Sequence, residues 1–435
     1  MDKEQHKSTF FGIAEISEKL SLSQKTVRRH IASGKLKSVK IGGVYRIPVD
    51  ALNDFINHNT PEDEEVAGFN LLGNKIFKDE KSRFTKKIIN TRNGAKDEVN
   101  WIDIIESWDN VKKSKLTFVD LFSGAGGITK GFELAGLKGI CGLDWFEAAG
   151  KTYRRNFKHP FVEGDIKCAD KKTEFYDTVK KELKGQTLSL VAGGFPCQGF
   201  SMAGNRIVDD PRNSLYKELL EIVTTLQPEF VVCENVVGLR SMLGGKVEEM
   251  ILNDFLEAGY AMNVTVLRAA DYSVPQKRDR VIFIGNRIGK VNYHPKAFLA
   301  PAEYLTTGDA IGDLMELNDN PAFNHVQTKH RPDMVEKMLA LEEGKSLYKG
   351  YSDAWKKCAW DEASCTIKEN HGGVNVHPKL GRVLTAREMA RIQSFPDDFI
   401  FEGSKTKQLI QLGNAVPPLL SKAIGLAIRK SYGEI

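Results

Sequence analysis

The sequence predicts an α/β protein with a doubly wound, mostly parallel β-sheet and smaller domains beside it. From residue 116 onwards, short apolar runs alternate with amphipathic segments, and each run ends near a glycine or an acidic residue. The strand-like runs are residues 116–120, 140–144, 188–192 and 230–234. Because this alternation is typical of parallel strands joined by crossover helices, we expect ligands at the carboxyl ends of the strands.

Length and composition indicate a multidomain globular protein. At 435 residues, the chain exceeds the size at which one hydrophobic core usually stops growing. Hydrophobic residues make up 41%, but no apolar run approaches the roughly 20 residues that span a bilayer, and the polar residues 1–5 do not resemble a signal peptide. Six scattered cysteines without a Cys-x-x-Cys pair argue against disulfides and against a metal site. A cytoplasmic protein without a bound metal is expected.

The first sixty residues read as a small separate unit. Ile13, Ile16 and Leu20 have helical spacing, residues 24–33 form a second predicted helix, and residues 39–47 form a hairpin about a Gly-Gly turn. The net charge is only +5, yet residues 25–46 hold seven basic residues and no acidic one. The predicted DNA contacts are Lys25, Arg28 and Arg29. The order helix, turn, basic helix and wing resembles the excisionase-like winged helix-turn-helix group.

Residues 61–114 are rich in charged residues and begin with an acidic run, as a linker would. Trp101, Ile105 and Trp108 are the exception, because their spacing predicts a short amphipathic helix that packs on the next domain.

A glycine-rich turn follows the first strand of the predicted sheet. Phe122, Gly124 and Gly126 lie where small residues let a ligand approach backbone amides at the start of a helix. Asp144 ends the second strand, at the distance expected of an acid that binds ribose hydroxyls. These residues alone would also fit the cofactor site of a nicotinamide dehydrogenase.

Residues 193–201 contain the motif that argues against a dehydrogenase. This glycine-flanked loop follows a strand and presents the thiol of Cys197 between a proline and a glutamine. A buried cysteine usually acts as a small apolar residue, which is the reading for Cys141 and Cys233. Cys197, in contrast, has the setting of a nucleophile.

At these residues the chain resembles the cytosine-5 methyltransferase family, across nearly all of residues 116–435. Its ordered blocks are Asp120-Leu-Phe-Ser-Gly-Ala-Gly-Gly, Asp144-Trp145, Gly164-Asp165-Ile166, Pro196-Cys197-Gln198, Glu234-Asn235-Val236, Gln276-Lys-Arg-Asp-Arg280, Arg387-Glu388 through Gln393-Ser-Phe-Pro396, and Gly413-Asn-Ala-Val-Pro417. Each block is weak alone, but their joint order is highly specific.

The resemblance implies methyl transfer from S-adenosylmethionine to carbon 5 of cytosine in duplex DNA. Cys197 would add to carbon 6, Glu234 would hold ring nitrogen 3 and supply a proton, and Arg278 and Arg280 would steady the cytosine and the catalytic loop. Because side chains alternate along a strand, Arg278 and Arg280 on either side of Asp279 are predicted to point in one direction. Gln198 and Ser201 of that loop would contact DNA. The residues assigned to the cofactor are Phe122, Gly124, Gly126, Asp144, Trp145, Asp165, Ile166, Leu215 and Asn414.

The family resemblance also implies a division of labour along the chain. Residues 115–288 would form the catalytic and cofactor-binding domain, 289–385 the target-recognition region, and 386–435 the return to the catalytic domain. The target base must be rotated out of the duplex before Cys197 can reach it. Polar segments at Asn324-His325, 363–367 and 370–373 would suit groove reading.

Two other functions compete with this prediction. An RNA cytosine methyltransferase would use the same chemistry, but the Cys-Phe-Thr tripeptide of the tRNA-methylating branch is missing from the sequence. A transcriptional regulator with a decayed catalytic domain is a second alternative. The presence of every candidate reactive residue argues against such decay. We expect a restriction-modification enzyme that acts with a cognate endonuclease and whose residues 1–60 bind operator DNA.

Overall fold

The computed structural model describes residues 10–19, 24–41, 44–57, 66–69, 75–77, 99–196, 214–348, 355–368 and 374–435. The chain divides into two compact units, one of residues 1–68 with 75–96 and the other of residues 69–74 with 97–435. No helix among the described residues is both long and apolar enough to cross a membrane.

The N-terminal unit has a three-stranded antiparallel sheet packed against three helices. Its strands are β1 (Phe10–Gly12), β2 (Val39–Ile41) and β3 (Val44–Pro48), in the order β1-β3-β2, and its helices are α1 (Ile13–Lys19), α2 (Gln24–Ala32) and α3 (Val49–Asn57). The core consists of Ile16, Val27, Leu36, Ile47 and Leu52. The predicted hairpin is therefore confirmed as β2-β3. Strand β1, which pairs with β3, was not predicted.

Two short strands lie within the segment predicted as a linker. They are β4 (Val66–Phe69) and β5 (Lys75–Phe77), which pair with each other. Charged composition alone thus conceals a local β-structure in this segment.

The second unit is built on a seven-stranded sheet in the order β12-β13-β11-β10-β7-β8-β9. Its strands are β7 (Thr117–Leu121), β8 (Lys138–Asp144), β9 (Phe161–Glu163), β10 (Leu190–Gly193), β11 (Phe230–Val236), β12 (Ala261–Arg268) and β13 (Asp279–Asn286). The five neighbouring strands β9, β8, β7, β10 and β11 are parallel to one another. Strand β13 is antiparallel to both β11 and β12. This arrangement confirms the four predicted strands and the mostly parallel sheet.

Helices cover both faces of this sheet, because alternate side chains of each strand point to opposite faces. The helices of the unit are α4 (Ile105–Trp108), α5 (Gly127–Leu134), α6 (Glu147–Asn156), α7 (Ala169–Leu183), α8 (Ser214–Leu226), α9 (Lys246–Glu257), α10 (Thr307–Ile311), α11 (Pro332–Ala340), α12 (Ala386–Ile392), α13 (Lys405–Asn414) and α14 (Pro418–Tyr432). One buried core joins the sheet to α7, α8 and α9, and a second joins it to α5 and α14. The C-terminal helix thus returns to the first strands of the sheet.

The segment around Trp101 corrects one prediction. Trp101 lies in a strand, β6 (Asn100–Ile102), which pairs in parallel with β14 (Tyr293–Pro295), and only Ile105 and Trp108 belong to helix α4. Trp108 stacks edge-on against Phe298, with ring centroids 4.9 Å apart. Helical spacing predicted one helix because a strand of three residues has no clear periodicity of its own.

A third core joins the region after residue 300 to α12 and α13. It corrects the expectation that Asn324 and His325 read DNA grooves, because both side chains are buried. The amide of Asn324 exchanges two hydrogen bonds with the backbone of Phe401, and His325 Nδ1 lies 3.1 Å from the hydroxyl of Thr385. Ser364 is also fully buried. The hydrogen bonds of Asn324 and His325 connect this region to the segments around Phe401 and Thr385. The predicted groove-reading segment 370–373 lies outside the described residues.

Candidate active site

The carboxyl ends of the central strands bring the glycine turn, Asp144 and the start of the Cys197 loop to one edge of the sheet. Strands β7, β8, β10 and β11 are parallel neighbours, so their carboxyl ends lie together. This edge is where the sequence placed the candidate site residues.

The glycine-rich turn after β7 has a left-handed backbone at three positions. Phe122, Gly124 and Gly126 have φ angles of 55°, 53° and 93°. A side chain on Gly126 would place its Cβ 2.3 Å from the ring of Phe157, so glycine is required there for space as well as for conformation. A bulky residue with positive φ, such as Phe122, is strained, and such strain is typical of functional sites.

The carboxylate of Asp144 connects the first two strand ends. It accepts hydrogen bonds from the backbone amides of Gly124 and Phe146, both at 2.8 Å. Burial raises the pKa of this carboxyl, and hydrogen bonds from three backbone amides oppose the increase. Each oxygen keeps a lone pair that can accept a ligand hydroxyl. The next residue, Trp145, is 74% exposed, so a large aromatic face stands free beside the carboxylate.

A buried polar chain that sequence reasoning missed lies behind the glycine turn. Asp120 accepts hydrogen bonds from the amide (3.2 Å) and hydroxyl (2.7 Å) of Thr129, whose hydroxyl lies 2.9 Å from that of Tyr153. The Tyr153 hydroxyl in turn lies 2.8 Å from Nε2 of His159. Burial raises the pKa of Asp120 to about 7. The chain ties α5 and α6 together under the turn, and its only sequence signal was an acid inside a buried strand.

The other residues assigned to the cofactor have different exposures. Asp165 is exposed and accepts a hydrogen bond from the amide of Lys167, whereas Ile166 is buried in the core. Leu215 is half-buried in the first turn of α8. Asn414 ends helix α13 and is exposed.

The described part of the loop that carries Cys197 ends at Pro196, so Cys197, Gln198 and Ser201 lie outside the described residues. The side chain of Asn235 donates a hydrogen bond to the carbonyl of Phe195 at 2.8 Å, which anchors the start of the loop to β11. A Cβ on Gly194 would lie 2.9 Å from Oε2 of Glu234. The loop therefore leaves the sheet directly beside the carboxylate of Glu234.

Glu234 and Arg280 form an ion pair, with Nε of the arginine 2.7 Å from Oε1 of the glutamate. Their side chains are 12% and 11% exposed. Nη1 of Arg280 also donates to the backbone carbonyl of Asp279. The guanidinium fixes one oxygen of the carboxylate and leaves the other near the start of the Cys197 loop.

Arg278 has different surroundings from Arg280, although both were predicted to point in one direction. Its guanidinium is buried and donates to the backbone carbonyls of Ile367 (2.9 Å), Gly413 (3.0 Å) and Ala415 (2.9 Å). Burial is the main reason that the pKa of Arg278 falls well below its usual value. Of the two arginines, Arg280 is therefore the one that contacts Glu234.

The predicted DNA contacts of the N-terminal unit lie on helix α2. Arg28 is exposed, and the side chains of Lys25 and Arg29 lie outside what the structure describes. No acidic residue occupies the first turn of this helix.

The seven-stranded sheet with helices on both faces has the fold of the class I methyltransferases. Over residues 116–430 the chain matches the C-5 cytosine-specific DNA methylase family, and over residues 10–60 it matches a helix-turn-helix domain. The chain belongs to the C-5 cytosine-specific DNA methylase family and carries an N-terminal helix-turn-helix domain.

Relatives with similar sequences are type II methyltransferases of bacteria. M1.HphI of Haemophilus parahaemolyticus is 39% identical over 72% of this chain and 87% of its own length. M.DdeI of Desulfomicrobium norvegicum is 31% identical over 74% of this chain and 90% of its own length. M.Eco47II of Escherichia coli is 30% identical, over 96% and 95%. The protein is accordingly a DNA cytosine-5 methyltransferase of the type II restriction-modification kind.

Solved structures share the fold. A prophage-encoded protein of Escherichia coli, described as a DNA modification methyltransferase, has a TM-score of 0.59 at 24% identity and covers 74% of this chain and 100% of its own. The Entamoeba histolytica methyltransferase EhMeth has a TM-score of 0.52 at 17% identity and covers 74% and 99%.

Proposed function

We propose that the enzyme transfers the methyl group of S-adenosylmethionine to carbon 5 of cytosine in a specific duplex sequence, through a covalent adduct with Cys197. The observation that carries this proposal is the position of the Glu234–Arg280 ion pair, directly beside Gly194 at the start of the Cys197 loop. A carboxyl and a cysteine loop at adjacent strand ends are what attack on a cytosine ring requires.

The residues at the glycine turn fit S-adenosylmethionine. Asp144 keeps lone pairs for ribose hydroxyls, and Trp145 offers an open aromatic face for adenine. Asn414, Asp165 and Leu215 are proposed to line the same pocket, with the backbone of Phe122, Gly124 and Gly126 forming its floor and Ile166 supporting it from the core. When bound, S-adenosylmethionine supplies an electrophilic methyl group on a sulfonium.

The chain's own groups would act on the cytosine. The thiolate of Cys197 forms a bond to carbon 6, while Glu234 supplies a proton to ring nitrogen 3. The electron pair that develops at carbon 5 then takes the methyl group, and the electrons of the broken carbon–sulfur bond stay on sulfur in S-adenosylhomocysteine. Water accepts the carbon 5 proton, the electron pair of that bond expels the thiolate from carbon 6, and the proton on ring nitrogen 3 returns to Glu234, which restores the aromatic ring. Arg280 orients Glu234 by holding one of its oxygens.

The substitution of Cys197 by serine tests this proposal. We expect Cys197→Ser to abolish incorporation of labelled methyl into duplex DNA while S-adenosylhomocysteine binding stays unchanged, because the thiol would contact the base and not the cofactor. Cys168→Ser is the matched control, since Cys168 is an exposed free cysteine. A duplex with 5-fluorocytosine should trap a covalent adduct with the wild type, because the fluorine does not leave as a proton does. Near-normal turnover of Cys197→Ser would refute the nucleophile role.

We further propose that the target base is rotated out of the duplex and that residues 289–385 recognise the surrounding sequence. The catalytic strands on either side are occupied by the proposed base and cofactor sites, which leaves this region for sequence reading. Exchange of the region between two such enzymes should change the methylated sequence, as bisulfite sequencing would show. An active exchanged enzyme with an unchanged site would place recognition elsewhere.

For the N-terminal domain we propose binding to operator DNA, on the basis of helix α2 and the β2-β3 wing. Full-length enzyme with Arg28→Ala and Arg29→Ala should bind its own upstream DNA more weakly while it methylates at the wild-type rate. Each lost phosphate contact should remove about 0.9 from the log-log salt slope. Unchanged binding to the upstream DNA would contradict the operator role.

A cognate endonuclease that cuts the same sequence is the remaining proposed partner. It follows from the type II relatives, whose kind of system pairs the two activities. DNA methylated by this enzyme should resist that endonuclease, whereas unmethylated DNA is cut. With DNA as its substrate, the enzyme is proposed to act in the cytoplasm.

A further inference from the structure

The guanidinium of Arg278 joins two parts of the enzyme that are far apart in the sequence. One of its carbonyl partners, Ile367, belongs to the proposed recognition region. The other two, Gly413 and Ala415, flank Asn414, which is exposed at the proposed cofactor site. The planar guanidinium of a single side chain therefore contacts both regions.

The peptide groups of Ile367 are held from both sides. Its carbonyl accepts from Nη1 of Arg278, and its amide donates to Oε1 of Gln276 at 2.8 Å. Gln276 is itself fully buried and donates to the side chain of Gln393 at 2.9 Å. The segment that precedes β13 thus fixes the recognition region at one peptide position.

The environment of Arg278 is costly for a cation. Among the described residues it has no carboxylate within ion-pair distance, and its Nε has no hydrogen-bond partner. The nearby carboxylate of Glu234 is paired with Arg280 instead. Burial of a cation on backbone carbonyls alone usually costs stability relative to an apolar side chain. Stability therefore does not account for an arginine at this position, whereas the geometry of its three contacts does.

We propose that Arg278 is a positioning residue that couples cofactor binding at Asn414 to DNA binding by the recognition region at Ile367. This inference rests on the proposed cofactor site. The planar guanidinium presents its donors in fixed directions, so displacement of either set of carbonyls strains the other. Coupling between two binding sites is reciprocal, and each ligand then tightens the binding of the other.

The substitution Arg278→Lys tests the coupling, because one ammonium group cannot reproduce the spread of the guanidinium. We expect binding of S-adenosylhomocysteine, measured by calorimetry, to weaken about ten-fold, within the usual range of such couplings. In methyl transfer to plasmid DNA, KM for the cofactor should rise more than kcat falls. The tightening of S-adenosylhomocysteine binding by plasmid DNA should shrink relative to the wild type.

Arg387→Lys is the matched control. Arg387 is fully buried and also donates to three backbone carbonyls, those of Phe323, Pro396 and Phe399. None of these residues flanks Asn414, so this variant should lose stability without a change in cofactor affinity. Combining Arg278→Lys with Asn414→Ala should weaken cofactor binding by less than the product of the two single effects.

The outcomes separate the inference from the proposed function. If the wild type fails to bind S-adenosylhomocysteine, the proposed function is wrong. If the wild type binds it and a folded Arg278→Lys binds equally well, only the coupling is wrong. Should that variant not fold, hydrogen exchange of the wild type decides: S-adenosylhomocysteine must slow exchange at the Ile367 amide, and unchanged exchange there would refute the coupling.

Discussion

Nε of Arg280 lies 2.7 Å from Oε1 of Glu234, and the two residues come from the neighbouring antiparallel strands β13 and β11. The pairing brings a cation from one motif to the carboxylate of another, 46 residues apart by the numbering of the chain. The other oxygen, Oε2, lies beside Gly194 at the start of the Cys197 loop.

Replacement of this carboxylate should affect catalysis and not cofactor binding. Glu234→Gln keeps the shape but cannot transfer the proton, so we expect the rate of methyl transfer to fall about 10²-fold or more. Glu248→Gln is the control, because Glu248 in helix α9 also pairs with an arginine, and Nε of Arg240 lies 2.6 Å from its Oε2. Equal losses in the two variants would show that the effect comes from a broken ion pair.

The exposed indole of Trp145 should contribute directly to cofactor affinity. Trp145→Ala should weaken S-adenosylmethionine binding by about 1–3 kcal/mol, the usual range for stacking of an aromatic side chain on a base. Folding should be unaffected, since the side chain is 74% exposed. Trp101→Ala removes another exposed indole and should not change affinity. Calorimetry measures the affinity, and an unchanged dissociation constant in Trp145→Ala would contradict stacking of the indole on the cofactor.

Gly127 is required where the C-terminal segment crosses helix α5. A Cβ at this position would lie 2.2 Å from the backbone carbonyl oxygen of Val416, which cannot move without displacing the start of α14. We expect Gly127→Ala to lower the free energy of unfolding by about 1–3 kcal/mol, as overpacking usually does. Gly238→Ala, whose Cβ would meet nothing within 4 Å, should be tolerated in the same denaturant titration. Similar losses in both would contradict the steric argument.

His294 should make the enzyme sensitive to acid. Its ring is fully buried, neither nitrogen has a hydrogen-bond partner among the described residues, and burial lowers its pKa from 6.5 to about 4. Between pH 6.5 and about 4, His294 binds a proton in the unfolded chain but not in the folded protein. The stability that is present above pH 6.5 is therefore lost as the pH falls towards 4, by up to about 1.4 kcal/mol per pH unit.

The substitution His294→Leu should remove this part of the pH dependence with little loss at pH 8, because no hydrogen bond is broken. His377 provides the comparison, since burial also lowers its pKa to about 4. Its Nδ1 accepts hydrogen bonds from the amides of Lys379 and Leu380, so His377→Leu should destabilise the protein at every pH. Thermal melts between pH 5 and 8 measure both effects, and an unchanged pH slope in His294→Leu would disprove the assignment.

The local pattern of residues was enough to predict the strands of the central sheet, the hairpin of the N-terminal unit and the family. Buried parallel strands are recognisable because each is a short apolar run between amphipathic helices, as in residues 116–144. The glycine turn at Gly124 is similarly visible, since its conformation requires particular residue types at fixed positions. Chemistry encoded within a few consecutive residues can be read without a structure.

Contacts between distant segments could not be obtained in this way. Alternation predicted that Arg278 and Arg280 point together, but Arg278 precedes the strand and is surrounded by carbonyls of residues 367, 413 and 415. Their polarity predicts that Asn324 and His325 read DNA, but packing buries both inside a core. A side chain's partners depend on which segments the fold brings beside it, and the free energy that selects them comes from burial and hydrogen bonding across the whole unit. The sequence therefore establishes the family and the class of this enzyme, and tertiary packing decides which partners surround each polar residue.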